Sequence, residues 1–315
     1  MRLCRFTQNE TVSNGFYFDS CVIPLRDAAQ LVQTDGDDTM PVDADLIDYL
    51  PPAGKHGHVV KQLHDQLDQI DTSSIQIPVG DIQLLVPVPE PKKLFLLAGN
   101  YAKHIEEGGD IAAERRDTFP YVFMKPPTTT LTNPGQTIRI PDISPNAIDW
   151  ELELAVVIGR ETKGVSEQEA LDSVAGYTII NDISNRRFRP NPDRNERPRD
   201  KFFDWLHGKW FDSFCPCGPC ITTADVVPDP QALDMKLSVN GEIRQQSSTS
   251  QQIFPVAAVI EFISSFVTLE PGDIISTGTP AGVGNTTGTY LKPGNEMIAA
   301  IDSIGELHSP VISEK

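Results

Sequence analysis

The chain has 315 residues, with 44 Asp and Glu against 26 Lys and Arg, so its formal net charge is −18. This acidic excess argues against a nucleic-acid-binding protein, which needs a basic face toward the phosphates, and against docking on anionic membranes. No run of about 18 apolar residues is present, and the first residues lack the apolar core of a secretory signal. The five cysteines, an odd number without a disulfide framework, fit a reducing compartment, so we expect a cytoplasmic protein.

The N-terminal part of the sequence predicts a mixture of strand and helix. Residues 16–25 predict one strand, and residues 57–70 place apolar side chains at helical spacing. The Asp- and Pro-rich residues between these two elements predict a loop with a short helix.

Three alternating prolines interrupt an apolar run in residues 84–94. Alternate prolines favour an extended connector and exclude a central strand. We therefore expect a small N-terminal α+β domain over residues 1–90 and the main domain over residues 91–315.

Beyond this connector the sequence predicts a domain rich in strands. Asn240-Gly241 predicts a tight hairpin turn, because both residues tolerate a positive φ. Helices are predicted from the capping box at Ser166 to about Val174, and over residues 254–267. Few helices among many strands do not suit a doubly wound parallel sheet, so we predict a mixed, β-rich α+β domain with few peripheral helices. The predicted strands are residues 94–99, 121–124, 137–140, 153–159, 175–182, 235–241, 273–276 and 296–301.

Two carboxylates begin the most apolar of these strands. Glu151 and Glu153 are two residues apart, so on a strand they point to the same face. Their mutual repulsion would be relieved by a cation, and oxygen ligands suit Mg²⁺ or Mn²⁺. Asp182 ends another apolar strand, where ligand-binding side chains often emerge. The alternatives are a solvent-facing edge strand for the glutamates and a simple strand-terminating aspartate.

A histidine and a carboxylate stand three residues apart in residues 101–107. On a short helix, His104 and Glu107 would share one face, and the carboxylate could orient the imidazole as a general base near neutral pH. Gly108-Gly109 would let this helix act as a lid. The alternative is a surface helix with an incidental polar pair.

Two further motifs do not match the sites that they first suggest. Residues 277–284, rich in Gly and Thr, lack the Gly-Lys-Ser/Thr of a phosphate loop and instead offer amides and hydroxyls to a small ligand. Cys215, Cys217 and Cys220 are one ligand short of a zinc site, so we expect ordinary small residues at the entry to a strand.

Taken together and in this order, the motifs resemble the fumarylacetoacetate hydrolase family over roughly residues 92–312. The segments that carry the resemblance are His104 with Glu107, residues 123–126, 149–153 and 181–184, Gly208-Lys209, residues 239–242 and residues 271–284. The resemblance implies a β-roll-like or barrel-like catalytic domain, usually in a homodimer.

The resemblance also implies roles for single residues. Glu151, Glu153 and Asp182 would hold Mg²⁺ or Mn²⁺, which chelates a 2-oxo acid and stabilises its enolate. His104, oriented by Glu107, would activate water. The remaining expected contacts are Lys209 at the oxyanion and Thr279 and Arg186 at the substrate.

One segment departs from the family pattern. Arg187 and Arg189 replace the usual Asp and Gln after the metal aspartate, and Arg189 thus takes the place of a substrate contact. Between Arg186 and Lys209 eight Lys and Arg face four Asp and Glu. This local excess suits either a positive funnel for an anionic substrate or a solvated loop with internal ion pairs.

We therefore expect a metal-dependent hydrolase that cleaves a carbon–carbon bond in an acylpyruvate- or fumarylacetoacetate-like 2-oxo acid, as in aromatic compound catabolism. The alternatives are an isomerase or decarboxylase of a 2-hydroxymuconate-type dienoic diacid, another 2-oxo acid lyase, and a non-catalytic oxo-acid-binding protein.

Overall fold

The structure is a computed structural model that describes residues 1–32 and 44–315. The N-terminal elements are β1 (Arg2–Gln8), β2 (Thr11–Phe18), β3 (Cys21–Pro24), α1 (Leu25–Leu31), a 3₁₀ helix (Leu46–Tyr49), α2 (Gly57–Leu67), β4 (Ile77–Pro78), a 3₁₀ helix (Val79–Asp81) and β5 (Gln83–Leu85). Part of the predicted loop, residues 33–43, lies outside the described residues.

The prediction of one strand over residues 16–25 is wrong. The segment forms the end of β2 and all of β3, which pair antiparallel with Phe16 opposite Ile23. Asp19 and Ser20, both typical turn formers, reverse the chain between them. The predicted helix is confirmed as α2, although it ends at Leu67, three residues early.

The rest of the chain consists of short strands, often several in succession, with short helices between some of them. Its strands are β6 (Leu94–Ala98), β7 (Tyr121–Met124), β8 (Leu131–Thr132), β9 (Ile138–Ile140), β10 (Ile148–Asp149), β11 (Leu152–Ile158), β12 (Val174–Asn181), β13 (Ser184–Asn185), β14 (Cys215–Thr223), β15 (Asp234–Val239), β16 (Glu242–Ser248), β17 (Ile274–Ser276), β18 (Glu296–Ile301) and β19 (Gly305–Ser313). Its helices are α3 (Ala102–Glu107), α4 (Pro127–Thr130), α5 (Glu167–Ala170), α6 (Asp200–His207), α7 (Val256–Phe266) and α8 (Gly284–Thr287), with 3₁₀ helices at Arg115–Asp117, Leu171–Ser173 and Thr249–Gln251.

One large mixed sheet runs through both halves of the chain. In the described residues twelve strands form it, in the order β4-β3-β2-β1-β14-β12-β11-β17-β6-β7, with β5 beside β1 and β8 beside β14. Strand β1 pairs antiparallel with β14, with Arg2 opposite Thr222, so the N-terminal strands extend the sheet of the predicted main domain. The expected boundary near residue 90 is therefore crossed by backbone pairing, and the division into two domains stays a prediction.

A second sheet packs beside the first and carries the predicted hairpin. Its order is β16-β15-β18-β19-β9, and β19 pairs parallel with β9. Asn240 and Gly241 join β15 to β16 with φ of 51° and 78°, the two positive values that a type I′ turn requires. The sheet-rich architecture confirms the predicted β-rich α+β class.

Strand β11 lies at the centre of the core, between β12 and β17, and all of its residues are buried. Leu152, Leu154 and Val156 face the cluster that contains the apolar side of α7. Ala155 and Val157 face the opposite side and belong to two other apolar clusters. Because successive side chains alternate, Glu153 points to this second side. In the described part of the chain, no helix has both the length and the apolar character needed to span a bilayer.

The close pairing of β12 with β14 allows no side chain at Gly176. A Cβ atom there would lie 2.2 Å from the carbonyl oxygen of Thr222. We expect Gly176→Ala to lower the free energy of unfolding by about 1–3 kcal/mol, because neighbouring backbone must move. Urea denaturation checks this value. Gly80→Ala is the control, since no atom lies within 4 Å of its added Cβ; equal midpoints for the two variants would contradict the prediction.

Candidate active site

The carboxylates of Glu151, Glu153 and Asp182 lie together at one end of β11 and β12. The two strands pair with Leu152 opposite Asn181, which places the residues just beyond them side by side. The backbone N–H of Asp182 donates to the carbonyl of Glu151 at 2.8 Å. All three side chains are buried, and one oxygen of each lies within 4.8 Å of the others. The same-face placement of the two glutamates and the position of Asp182 at a strand end thus agree with the sequence pattern.

Each carboxylate is anchored through one of its two oxygens. Glu151 Oε1 forms an ion pair with the guanidinium of Arg186 at 2.5 Å. Asp182 Oδ1 accepts a hydrogen bond from the ammonium of Lys125. Glu153 Oε2 accepts hydrogen bonds from Ser276 Oγ at 2.6 Å and from the N–H of Gly278 at 2.9 Å. These partners fix the orientation of the three carboxyl groups.

The second oxygens have a different environment. Lys209 Nζ donates to Glu151 Oε2 at 2.7 Å and to Asp182 Oδ2 at 2.5 Å. Glu153 Oε1 is buried and has no hydrogen-bond partner among the described residues. An unpaired buried carboxylate oxygen is costly, and a cation would relieve that cost. The oxygen-only donor set therefore fits a divalent cation that prefers oxygen ligands.

The pKa values of the two glutamates move in opposite directions. Burial, together with the negative charges of Asp182 and Glu151, raises the pKa of Glu153 to about 8. Burial would also raise the pKa of Glu151, but the charges of Arg186, Lys209 and His104 outweigh it and lower the pKa. Two neighbouring carboxyl groups therefore differ: the charges around Glu151 favour its ionised form, whereas burial and the charges around Glu153 oppose ionisation.

Lys125 is a site residue that sequence reasoning missed. It is 1% exposed, and its ammonium donates to Asp182, to the carbonyl of Ile183 at 3.0 Å and to the carbonyl of Phe214 at 2.6 Å. All three donors are thus used. The motif at residues 123–126 contains this lysine, but a lysine after a short strand is typical of a surface, and its partners are distant in sequence.

Arg186 and Asp149 connect the cluster to the glycine-rich loop. Arg186 Nε donates to Asp149 Oδ2 at 2.8 Å. The Asp149 carboxylate also accepts from the N–H groups of Gly284 and Asn285, at 2.6 and 3.0 Å. The structure thus places Arg186 between two acidic residues of the protein, and its contact with substrate stays a prediction.

The predicted pair of His104 and Glu107 forms on α3. His104 Nδ1 lies 2.9 Å from Glu107 Oε1, and both side chains are partly buried. The N–H of Gly282 donates to both oxygens of Glu107, at 3.2 and 3.0 Å. With Nδ1 held by the carboxylate, Nε2 is the ring nitrogen that can face a reactant. The helix is therefore fastened to the glycine-rich loop.

Thr279 lies in this loop beside a second residue that sequence reasoning missed. Its hydroxyl oxygen accepts from Gln245 Nε2 at 2.8 Å, so the hydroxyl proton can be donated to another group. Gln245 is buried on β16, and its Oε1 accepts from the N–H of Leu152 at 3.0 Å. Gln245 thereby ties the loop to the start of β11. Thr277, by contrast, uses its hydroxyl on Leu154 and Gln252.

Three arginines of the arginine-rich segment pair with acidic residues of the same segment. Arg189 forms an ion pair with Glu196 at 2.9 Å, and both side chains are exposed. Arg194 pairs with Asp200 and Asp204, and Arg197 also pairs with Asp200. These contacts are internal ion pairs, of which the Arg189–Glu196 pair is exposed to solvent and the Arg194–Asp200 pair is largely buried. No hydrogen bond or ion pair joins Arg189 to the three carboxylates in the described structure, so its role in substrate binding stays a prediction.

The three clustered cysteines occupy β14 and are buried and free. Burial raises the pKa of the Cys215 and Cys220 thiols to about 12, which favours the neutral thiol over the thiolate. They are ordinary strand residues, as the sequence predicts.

A sheet-rich fold with a buried carboxylate cluster beside an oriented histidine defines an enzyme-like scaffold with a metal-binding geometry. The family model described as "Fumarylacetoacetate (FAA) hydrolase C-terminal" matches residues 93–312. The chain belongs to the fumarylacetoacetate hydrolase family.

Similar proteins show the range of activities on this scaffold. A mitochondrial oxaloacetate tautomerase of Xenopus laevis is 37% identical over 246 residues, which are 77% of this chain and 72% of the relative. The 2,4-didehydro-3-deoxy-L-rhamnonate hydrolase of Sphingomonas sp. strain SKA58 is 40% identical over 239 residues, 75% of this chain and 78% of the relative. A solved structure of maleylpyruvate hydrolase from Sphingobium sp. SYK-6, in complex with manganese(II) and pyruvate, has a TM-score of 0.74, 28% identity and full coverage of both chains. The family is thus enzymatic and includes both hydrolases and tautomerases.

The Asp149 carboxylate supports a local prediction about stability. We expect Asp149→Ala to lower the free energy of unfolding by about 3–5 kcal/mol, because Arg186 loses one of its two buried partners and the loop N–H groups lose their acceptor. Chemical denaturation followed by circular dichroism measures the loss. Asp19→Ala, which breaks an exposed pair with Arg2, is the control and should cost less than about 1 kcal/mol. Equal losses in both variants would refute the prediction.

Proposed function

We propose that the protein is a divalent-metal-dependent hydrolase that cleaves a carbon–carbon bond in a small acylpyruvate-like 2-oxo acid. The observation that carries the proposal is that one loop holds both parts of the site. The N–H of Gly278 binds Glu153 in the carboxylate cluster, and the N–H of Gly282 binds Glu107, which orients His104. A general base and a metal-binding cluster are thereby kept at a fixed separation, as hydrolysis of a chelated substrate requires.

The residues that would hold the metal are Glu151, Glu153 and Asp182. The unpartnered Oε1 of Glu153 and the oxygen-only donor set support this assignment. Mg²⁺ and Mn²⁺ both suit such ligands, and the solved maleylpyruvate hydrolase contains manganese. When bound, the cation supplies Lewis-acid stabilisation to the enolate that carbon–carbon cleavage leaves.

The residues of the chain itself supply the proton transfers and the charge. His104, with Nδ1 held by Glu107, takes a proton from water at Nε2 as water attacks the distal carbonyl. Lys209 is charged, because Asp182 and Glu151 raise its pKa in spite of burial, and it stabilises the developing oxyanion. Thr279 donates its hydroxyl proton to the substrate carboxylate.

Arg186 and Arg189 are proposed to add positive charge beside that carboxylate. With this local positive charge, a chain of net charge −18 can still attract an anionic substrate. A homodimer, a cytoplasmic location and a place in aromatic compound catabolism remain part of the proposal.

A second candidate is tautomerisation, isomerisation or decarboxylation of a 2-oxo acid on the same site. The 37% identity to an oxaloacetate tautomerase favours it. Such a reaction needs the enolate-stabilising groups but no attacking water. Hydrolysis therefore differs from these reactions in requiring His104 to activate water, whereas in tautomerisation or isomerisation His104 would move a proton between two atoms of the substrate.

A panel of acylpyruvates, oxaloacetate and 2-hydroxymuconate-type dienoic diacids, with Mg²⁺ or Mn²⁺, tests both candidates. A hydrolase consumes the acylpyruvate enol absorbance and releases pyruvate together with a second acid. A tautomerase changes the absorbance without releasing pyruvate. No metal-dependent turnover of any compound, combined with metal-dependent binding of oxalate, would overturn the enzyme proposal in favour of a binding protein.

The roles of the two α3 side chains lead to a graded prediction. We expect His104→Gln to lower kcat for hydrolysis by about 10²–10⁴-fold, because the general base is lost. Glu107→Gln should cause a smaller loss with KM little changed, since the imidazole keeps a hydrogen-bond partner but not a charged one. Steady-state kinetics measures both.

The matched control is Glu106→Gln, an exposed glutamate on the same helix. Its kcat should equal that of the wild type. If kcat fell as much in this variant as in Glu107→Gln, loss of either glutamate charge on α3 would impair the enzyme. That result would contradict the specific role of Glu107.

A further inference from the structure

We infer that the ammonium group of Lys209 competes with a divalent cation for the same two carboxylate oxygens, and so lowers the affinity of the site for metal. The inference rests on the proposed metal site, and it assigns to Lys209 a role that precedes any contact with substrate. In this view Lys209 becomes available to an anionic substrate only in the metal-bound protein.

The first argument is the division of the carboxylate oxygens. Arg186, Lys125 and the Ser276–Gly278 segment hold one oxygen of each carboxyl group. Of the three oxygens that remain, two accept from Lys209 and the third has no hydrogen-bond partner among the described residues. The oxygens of the first set already share lone pairs with fixed partners, so a cation that binds all three carboxylates would bind more readily through the second set.

The second argument compares the two buried lysines. Lys125 donates two of its hydrogen bonds to backbone carbonyls, so its ammonium group stays anchored even when Asp182 binds another group. The hydrogen bonds that the Lys209 ammonium makes in the structure go to the carboxylates alone. Its Nζ also lies 5.2 Å from the ring centre of Phe123 and 5.7 Å from that of Trp205. These aromatic faces offer an ammonium group a favourable contact when it leaves the carboxylates.

The third argument is charge. The guanidinium of Arg186 already opposes the positive charge of Lys209 in the same cluster. A divalent cation at the same oxygens would add a stronger repulsion at a distance of a few ångströms in a buried site. The ammonium and the divalent cation therefore cannot both keep these contacts, and metal binding must displace Lys209.

Metal affinity of matched lysine variants tests the inference. Mn²⁺ binding is measured by isothermal titration calorimetry for the wild type, Lys209→Met and Lys125→Met. We expect Lys209→Met to bind Mn²⁺ at least about tenfold more tightly, because the metal no longer has to displace an ammonium group from the carboxylate oxygens. Lys125→Met removes an equal charge from the same aspartate but frees no oxygen of the second set, so any gain in its affinity should be much smaller.

The outcomes separate this inference from the proposed function. Unchanged or weaker binding in Lys209→Met overturns the competition. Equal tightening in both variants overturns it as well, since charge alone would then explain the effect. Absence of Mn²⁺ binding in all three proteins would instead contradict the proposed metal site.

A second measurement serves if Lys125→Met does not fold. Trp150→Phe with Trp210→Phe leaves Trp205 as the one tryptophan of the 315-residue chain. We expect Mg²⁺ to change the Trp205 emission with a saturation curve that follows the Mg²⁺ affinity measured by calorimetry on the same protein, because the ammonium moves relative to the ring. Adding Lys209→Met should abolish the change. An emission that Mg²⁺ does not alter, in protein shown to bind the metal, overturns the inference.

Discussion

Three buried acidic groups with oxygens within 4.8 Å of one another would repel if all were ionised, and the surrounding structure supplies the positive charge and donors that keep them there. Arg186, Lys125 and Lys209 neutralise two of them, and hydroxyl and amide donors hold the third. Removal of any one cation would leave at least one buried carboxylate with a single cationic partner, which costs more than the same loss at a surface. The orientation of each carboxyl group is thus set by partners from several different elements.

The backbone arrangement follows from that requirement. Glu153 on β11 meets Ser276 on β17 because the two strands are antiparallel neighbours, with Ala155 opposite Ser276. The glycine-rich loop starts at the end of β17, and Asp149, Glu107 and Gln245 bind it through side chains. Gly282 has φ of 104°, and a Cβ atom there would lie 2.1 Å from the carbonyl oxygen of Arg244, so only glycine allows this approach. The loop is therefore held at several points, although it has no regular structure.

Local patterns predicted the centre of the site better than its surroundings. A period of two places Glu151 and Glu153 on one face, and a strand end exposes Asp182, so these carboxylates could be found from neighbouring residues. The residues that anchor these carboxylates could not be found from neighbouring residues. Lys125 is 57 residues from Asp182 and Ser276 is 123 residues from Glu153, so only the fold brings them together. Local signals also misled at residues 16–25, where a turn of two polar residues divides an otherwise continuous apolar run.

The pairing of β1 with β14 has a consequence for how the chain is made. Leu3 pairs with Ile221, so the first strand of the sheet finds this neighbour only after more than two thirds of the chain has left the ribosome. Until then β1 can pair with β2 on one side and, through Arg5–Thr7, with β5 on the other, but Arg2 and Leu3 keep unpaired N–H and C=O groups on that second side. Contacts this distant in sequence also slow folding. The pairing of β1 is therefore completed only after β14 has been synthesised. Until then the nascent chain must avoid pairing through β1 with other chains.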